Sequence, residues 1–112
     1  MSEEFWEIAY YWAQNGKCPY RDWFEDLSDF QIKYKVMARL ARLRTGNFGI
    51  CEPVGAGVFE FKVDYGPGYR IYFARIGWRV ILLLCGGDKS TQRADIQTAK
   101  RYWGLYKENE KK

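Results

Sequence analysis

Residues 66–92, with the sequence GPGYRIYFARIGWRVILLLCGGDKSTQ, decide the fold of this chain. The stretch predicts a turn, a strand, a tight reversal at Ile76-Gly77 and a second strand that is apolar throughout. This second strand ends at Gly86-Gly87, and the Ser and Thr that follow are typical of a helix start. A strand that is apolar on both faces belongs in the interior of a sheet, so the rest of the chain has to surround it.

Two polar residues interrupt the first of these strands. Successive side chains of a strand point to opposite faces, so Tyr69, Ile71 and Phe73 share one face. Arg70 and Tyr72 share the other face. A cation on a strand next to the apolar centre of a sheet is a candidate site residue.

The residues before this stretch are predicted to form its hairpin partner. Residues 58–65 alternate between an apolar face (Phe59, Phe61, Val63) and a polar face (Glu60, Lys62, Asp64). Gly66-Pro67-Gly68 predicts a tight turn that joins the two strands. Because the apolar faces have to match for burial, Lys62 and Glu60 are predicted to share the face of Arg70, open to solvent or ligand.

Four further elements follow from pattern. The aromatic and β-branched residues 5–12 predict a first strand. Pro19 suits the first position of a short helix that ends near Leu27, and Ser28 is expected to cap a second helix that reaches Arg44. Ser90 or Thr91 is expected to cap a last helix.

The order of elements predicts an α+β fold in one domain, residues 1–112. It consists of an antiparallel sheet of about four to five strands, N-terminal helices packed on one face, and a C-terminal helix. Residues 107–112 are predicted to fray.

Composition excludes several classes of function. The chain of 112 residues has no histidine, and its three cysteines are widely spaced without a CxxC motif, so we expect no metal site and no cofactor. No apolar run approaches the length of a membrane span and no cationic leader is visible, so we expect a cytoplasmic protein without a membrane partner. A net charge of +4 is compatible with an ordinary soluble surface or with a polyanionic partner.

The predicted polar face has the chemistry that RNA cleavage needs. Lys62, Arg70 and Tyr72, with Asp88 and Lys89 at the exit of the central strand, would form a basic, partly aromatic surface. Arg70 is the candidate clamp for the charge that develops on a phosphoryl group, and Lys62 is the candidate base. Tyr72 is a candidate for stacking on a base or for donating a proton. The competing interpretation is a solvent-exposed strand face in which Glu60 forms a cross-strand ion pair.

The sequence resembles a family of bacterial toxins. GVFEFKVDYGPGYRIYF and LLLCGGDKSTQRADIQTAKRYW, residues 57–73 and 82–103, look like the RelE/ParE toxin superfamily, and most closely its HigB-like addiction module killer branch. The resemblance implies a microbial-ribonuclease-like fold and a type II toxin that cleaves mRNA on the ribosome without a metal. The implied partners are the ribosome, mRNA and a helix-turn-helix antitoxin, through which the toxin would meet DNA only indirectly.

The resemblance matches Lys62, Arg70 and Lys89 to basic residues of the family, and the other candidates come from the predicted polar face, the exit of the central strand and the cationic second helix. The catalytic candidates are Lys62, Arg70, Lys89 and Tyr72. The candidate RNA contacts are Glu60, Asp88, Asp95 and Arg79. Arg39 and Arg42 on the cationic second helix are the candidate antitoxin contacts.

Two departures from the family leave alternatives open. Glu60 falls where RelE-type toxins carry a second strand lysine, and the tyrosine expected on the last helix is replaced near Asp95. A ParE-like toxin that inhibits a protein target such as DNA gyrase, or a degenerate toxin that only binds its antitoxin, is therefore an alternative to the endoribonuclease.

Overall fold

The computed structural model of the protein describes residues 5–111 and shows an α+β fold with a five-stranded mixed sheet. The elements are β1 Glu7–Tyr10, α1 Pro19–Glu25, α2 Phe30–Arg44, β2 Cys51–Gly55, β3 Val58–Val63, β4 Tyr69–Ile76, β5 Val80–Asp88, a 3₁₀ turn at Lys89–Thr91, and α3 Gln92–Glu110. The predicted domain extends over residues 1–112, of which 1–4 and 112 lie outside the described residues.

The sheet has the order β1-β5-β4-β3-β2. Strands β2 to β5 form the predicted antiparallel meander, with β5 inside the sheet. Strand β1 differs from the prediction because it pairs with β5 in parallel, with Ile8 opposite Ile81. A parallel pair requires a long crossover connection, which α1, α2 and the meander provide between these two strands.

The two faces of the sheet are covered by different helices. Ile32, Val36 and Leu43 of α2 pack with Phe61 and other apolar strand residues on one face. Helix α3 covers the opposite face, where buried Ala99 belongs to a second core with Tyr72, Leu82 and Leu84. The prediction of an open polar face was therefore wrong over most of its area, because the apolar side of α3 is buried there.

A β-bulge changes the phase of β5 near its end. Tyr72 pairs with Cys85 whereas Phe73 pairs with Leu83, so the strand carries one extra residue at Leu84. Leu84 and Cys85 consequently both belong to the α3 core, although they are consecutive. After the bulge, Gly86 faces Trp23 of α1.

The helix ends agree with most of the predicted signals. Pro19 begins α1, and Gly46 follows α2 with a φ of +88°, a left-handed conformation that glycine adopts without strain. The predicted cap of α2 was wrong by one residue, because Asp29 and not Ser28 accepts a hydrogen bond from the Gln31 amide, at 2.8 Å. The predicted frayed tail is helical as far as Glu110, because Trp103 and Tyr106 anchor this part of α3 on its core.

Within residues 5–111, no helix combines the length and the apolar character that crossing a bilayer requires. The same residues contain no cluster of three or more His, Cys, Asp or Glu side chains that could hold a metal ion. The three cysteines are free, and Cys18 and Cys85 are buried.

The contact between Gly86 and Trp23 gives a test of the α1 packing. A Cβ at Gly86 would lie 2.5 Å from two atoms of the Trp23 ring, so Gly86→Ala forces the indole to move. We expect a loss of about 1–3 kcal/mol in the free energy of unfolding, measured by urea denaturation.

Gly104 of α3 provides the matched control. A Cβ there meets nothing within 4 Å, so Gly104→Ala should stabilise the helix by about 0.5–1 kcal/mol. Equal effects of the two substitutions would contradict the proposed packing of α1 on β5.

Candidate functional site

A cleft beside the β3–β4 turn brings three of the four catalytic candidates together. It has a volume of about 350 Å³ and is lined by Lys62, Asp64, Tyr65, Gly66, Pro67, Gly68, Arg70 and Lys89. Lys62 and Arg70 are direct partners in the pairing of β3 with β4. Lys89 is brought to the turn by its amide, which donates a hydrogen bond to the Gly68 carbonyl at 3.0 Å.

The three cations differ in exposure. Lys62 and Lys89 are exposed, whereas Arg70 is only 6% exposed. One Arg70 nitrogen, Nη1, donates to the Gly68 carbonyl at 3.2 Å. Its Nε is buried and has no hydrogen-bond partner among the described residues. This Nε faces Glu60 and not the cleft, so the donors that Arg70 can offer to a ligand are the N–H groups of its Nη atoms that Gly68 does not use.

Glu60 lies beneath this guanidinium. Its Oε2 is 3.6 Å from Arg70 Nε, which makes an ion pair but is too long for a hydrogen bond. The same oxygen accepts hydrogen bonds from the Tyr72 hydroxyl at 3.0 Å and from Gln92 Nε2 at 2.9 Å. Glu60 is 7% exposed, so the predicted role of an open RNA contact does not fit its position. Its carboxylate instead compensates the charge of Arg70.

Tyr72 is fully buried under α3. Burial, followed by the hydrogen bond to Glu60, raises the pKa of its phenol far above the ordinary value. The prediction that Tyr72 stacks on a base does not fit this position, because no part of the ring reaches solvent. Its hydroxyl orients the Glu60 carboxylate.

The carboxylates at the end of β5 have local partners. Asp88 accepts from the Ser90 amide at 2.8 Å and from the Ser90 hydroxyl at 2.6 Å, and these bonds lower the pKa of Asp88. Asp95 accepts from the Thr91 hydroxyl at 2.6 Å. It lies directly over Gly87, where a Cβ would clash with Asp95 Oδ2. Both acids therefore shape the entry into α3, and their predicted RNA contacts stay predictions.

Arg79 lies away from this cleft. It precedes β5, whereas Arg70 pairs with Gly87 near the other end of that strand. Arg79 and Gly87 are eight steps apart along the chain, which in a strand corresponds to roughly 26 Å. The structure therefore does not bring Arg79 to the cleft of Lys62, Arg70 and Lys89.

Arg39 has a structural role that the sequence did not reveal. Its Nη1 donates to the Lys62 carbonyl at 2.6 Å, and its guanidinium lies 4.8 Å from the centre of the Phe61 ring. Burial lowers the pKa of Arg39. The predicted open antitoxin contact does not fit this side chain, which ties α2 to β3, whereas Arg42 is exposed.

Sequence reasoning missed one member of the site. Gln92 is the first residue of α3, and its side-chain amide donates a hydrogen bond to the Glu60 carboxylate. The residue stands in the GGDKSTQ segment that carried the family resemblance, but its role depends on α3 covering the sheet.

Comparison with known proteins identifies a family. A sequence model of the family described as phage derived protein Gp49-like (DUF891) matches residues 22–103. An uncharacterized protein from Haemophilus influenzae is 46% identical over 78 residues, which are 70% of this chain and 79% of the relative. No solved structure matches the chain.

The family match corrects the predicted assignment to the RelE/ParE superfamily. That assignment was wrong, because the matching family is Gp49-like and no RelE/ParE family matches. Gp49-like proteins form a HigB/RelE-like family of toxins from toxin–antitoxin systems, which implies an antitoxin partner. The toxin role in the original prediction is therefore confirmed, whereas its nuclease mechanism is a separate question.

The buried phenol gives a test of the network beneath the cleft. Tyr72→Phe removes the hydrogen bond to Glu60 and should lower the free energy of unfolding by about 1–2 kcal/mol at pH 7. Because the pKa of Tyr72 is raised in the folded state, stability is fully present below the unfolded pKa, about 10, and falls as pH rises above it. Above pH 10, Tyr72→Phe should reduce this alkaline slope by up to about 1.4 kcal/mol per pH unit, whereas between about pH 8 and 9 the two slopes should agree, both measured by urea denaturation.

Tyr34→Phe provides the control, because Tyr34 is 75% exposed on α2 and has no part in the network. It should reproduce the wild-type stability and slope. A wild-type slope in Tyr72→Phe as well would show that Tyr72 does not hold its proton in the folded state.

Proposed function

The chain belongs to the Gp49-like family of toxin–antitoxin toxins, and we propose that it arrests growth as a ribosome-dependent endoribonuclease that cuts mRNA. The proposed active site is the cleft lined by Lys62, Arg70 and Lys89. The observation that carries the proposal is the convergence of these three cations on one cleft, around a guanidinium that is paired with Glu60.

Arg70 is suited to hold the scissile phosphate. A guanidinium keeps its charge and offers donors that match two phosphoryl oxygens at once. The Glu60 carboxylate forms an ion pair with the Arg70 guanidinium and is itself held by hydrogen bonds from Tyr72 and Gln92. The orientation of Arg70 therefore does not depend on the substrate. A donor that is held in place before the substrate arrives stabilises developing charge without reorganisation.

The lysines are suited to move protons. In the proposed reaction the ribose 2′-oxygen attacks the adjacent phosphorus, and the bond from phosphorus to the 5′-oxygen breaks. Lys62 is the general base that accepts the proton of the 2′-hydroxyl, and Lys89 is the general acid that donates a proton to the departing 5′-oxygen. The products are a 2′,3′-cyclic phosphate and a 5′-hydroxyl, and no metal ion enters the reaction because the cations balance the phosphoryl charge.

Buried Tyr72 removes one candidate from this scheme. The sequence offered it as a base-stacking residue or a proton donor, but its hydroxyl already donates to Glu60. The exposed amines of Lys62 and Lys89 are the groups at the cleft that can reach a substrate and exchange a proton.

Arg70→Ala tests the proposal. Induced expression of the wild-type chain should give in-frame cuts in cellular mRNA, mapped by primer extension. Arg70→Ala should reduce the cutting rate at least about 100-fold, because it removes the phosphate clamp. Cutting by purified toxin on purified ribosomes should continue in EDTA once magnesium has been replaced by a polyamine that keeps the ribosome assembled.

Lys107→Ala is the matched control. Lys107 is also a cation, but it lies over Trp103, which contacts the turn at Gly57 at the opposite end of β3 from Lys62. This variant should cut at the wild-type rate. Growth arrest by the wild-type chain with intact transcripts would refute the nuclease and favour a protein target such as DNA gyrase.

A further inference from the structure

The outward face of α2 carries an apolar stripe. The buried residues Ile32, Val36 and Leu43 define the inward face of this helix. On the opposite side stand Phe30, Tyr34, Met37 and Ala41, which we call the α2 stripe. Phe30 is 83% exposed, Tyr34 75% and Met37 58%, and Ala41 is exposed as well.

The spacing of the α2 stripe is helical. Its members stand at positions i, i+4, i+7 and i+11, so they form one line that extends over about 16 Å of the helix. The solvent face of an amphipathic helix ordinarily carries the polar residues. A continuous apolar line at its centre is therefore typical of a surface that another molecule covers.

Cations flank the α2 stripe on both sides. At 100° per residue, Lys33 and Arg44 lie directly beside one edge. Lys35 and Arg42 lie on the other side of the stripe, beyond Gln31 and Ala38. Helix α2 contains no acidic residue. Beside the stripe, one groove of about 360 Å³ is lined by Phe30, Gln31, Tyr34 and Lys35. A second groove of about 300 Å³ continues it past Ala38 and Arg42, and its far wall is formed by Val63 and Asp64 of the β3 end.

We infer that the α2 stripe is the docking site of an amphipathic helix of the antitoxin, with apolar residues at matching spacing and acidic residues on both flanks. The apolar line supplies the area that is buried, and the cations select an acidic partner and fix its register. This inference rests on the toxin–antitoxin family and is independent of whether the cleft cuts RNA.

The chemistry of the stripe favours a helix over two other occupants. Met37 and Ala41 neither stack on bases nor bind phosphate, but a methionine adapts well to the apolar side chains of a protein partner. A second copy of this chain would bring the cations of one α2 against those of the other, and like charges across an interface oppose association.

The test measures binding of the full-length cognate antitoxin. Tyr34→Glu and Met37→Glu each place a carboxylate on the stripe without touching the core. Each should weaken antitoxin binding at least about 30-fold, measured by calorimetry, as expected for central residues of an interface. In cells, the antitoxin should fail to rescue growth from either variant.

Trp78→Glu is the matched control, because Trp78 is 85% exposed and lies in the β4–β5 turn, away from α2. It should bind the antitoxin like the wild type. Toxicity without antitoxin should be the same for all three variants, so this readout reports on the cleft separately from docking.

Two results would overturn the inference. The first is wild-type antitoxin affinity in both stripe variants, which would place the antitoxin elsewhere. The second is a dimer of the free chain that Met37→Glu converts to a monomer, since the stripe would then be covered by a second copy.

Discussion

The site depends on the compensation of one buried charge. Taking a guanidinium out of water costs several kcal/mol unless an anion lies beside it. Glu60 supplies that anion from the neighbouring strand, two residues from the direct partner of Arg70. Tyr72 and Gln92 in turn hold the carboxylate, so a strand and a helix both contribute to the position of one cation. Glycine at position 87 allows Asp95 and α3 to approach closely enough to complete this arrangement.

Local sequence pattern was enough to predict the centre of the fold. The alternation in residues 58–65 and 69–73 fixed which side chains share a face, and the observed pairing of Lys62 with Arg70 agrees with it. The parallel edge strand β1 was not predictable in the same way, because its partner β5 is distant in sequence. Nothing in the residues of β1 distinguishes a parallel neighbour from an antiparallel one.

The burial of the polar face was the harder problem. Glu60 and Tyr72 look like ligand-facing residues in a strand pattern, and only the placement of α3 shows that they face a helix. The bulge at Leu84 adds to the difficulty, because it changes the phase of β5 without a sequence signal. Lys62 and Lys89 were predicted at an open site, and both are exposed. Helix α3 begins only at Gln92, so it leaves this end of the sheet uncovered.

The pairing of Lys62 with Arg70 also has a consequence for the free protein. Like charges directly opposite on one sheet face repel. Glu60 forms an ion pair with Arg70, whereas Lys62 forms none among the described residues, although Asp64 also lines the cleft. The cleft is thus a point of electrostatic frustration, where the fold gives up stability to keep cations together. An anion that enters the cleft relieves this repulsion, so part of its binding free energy comes from strain that the folded chain already carries.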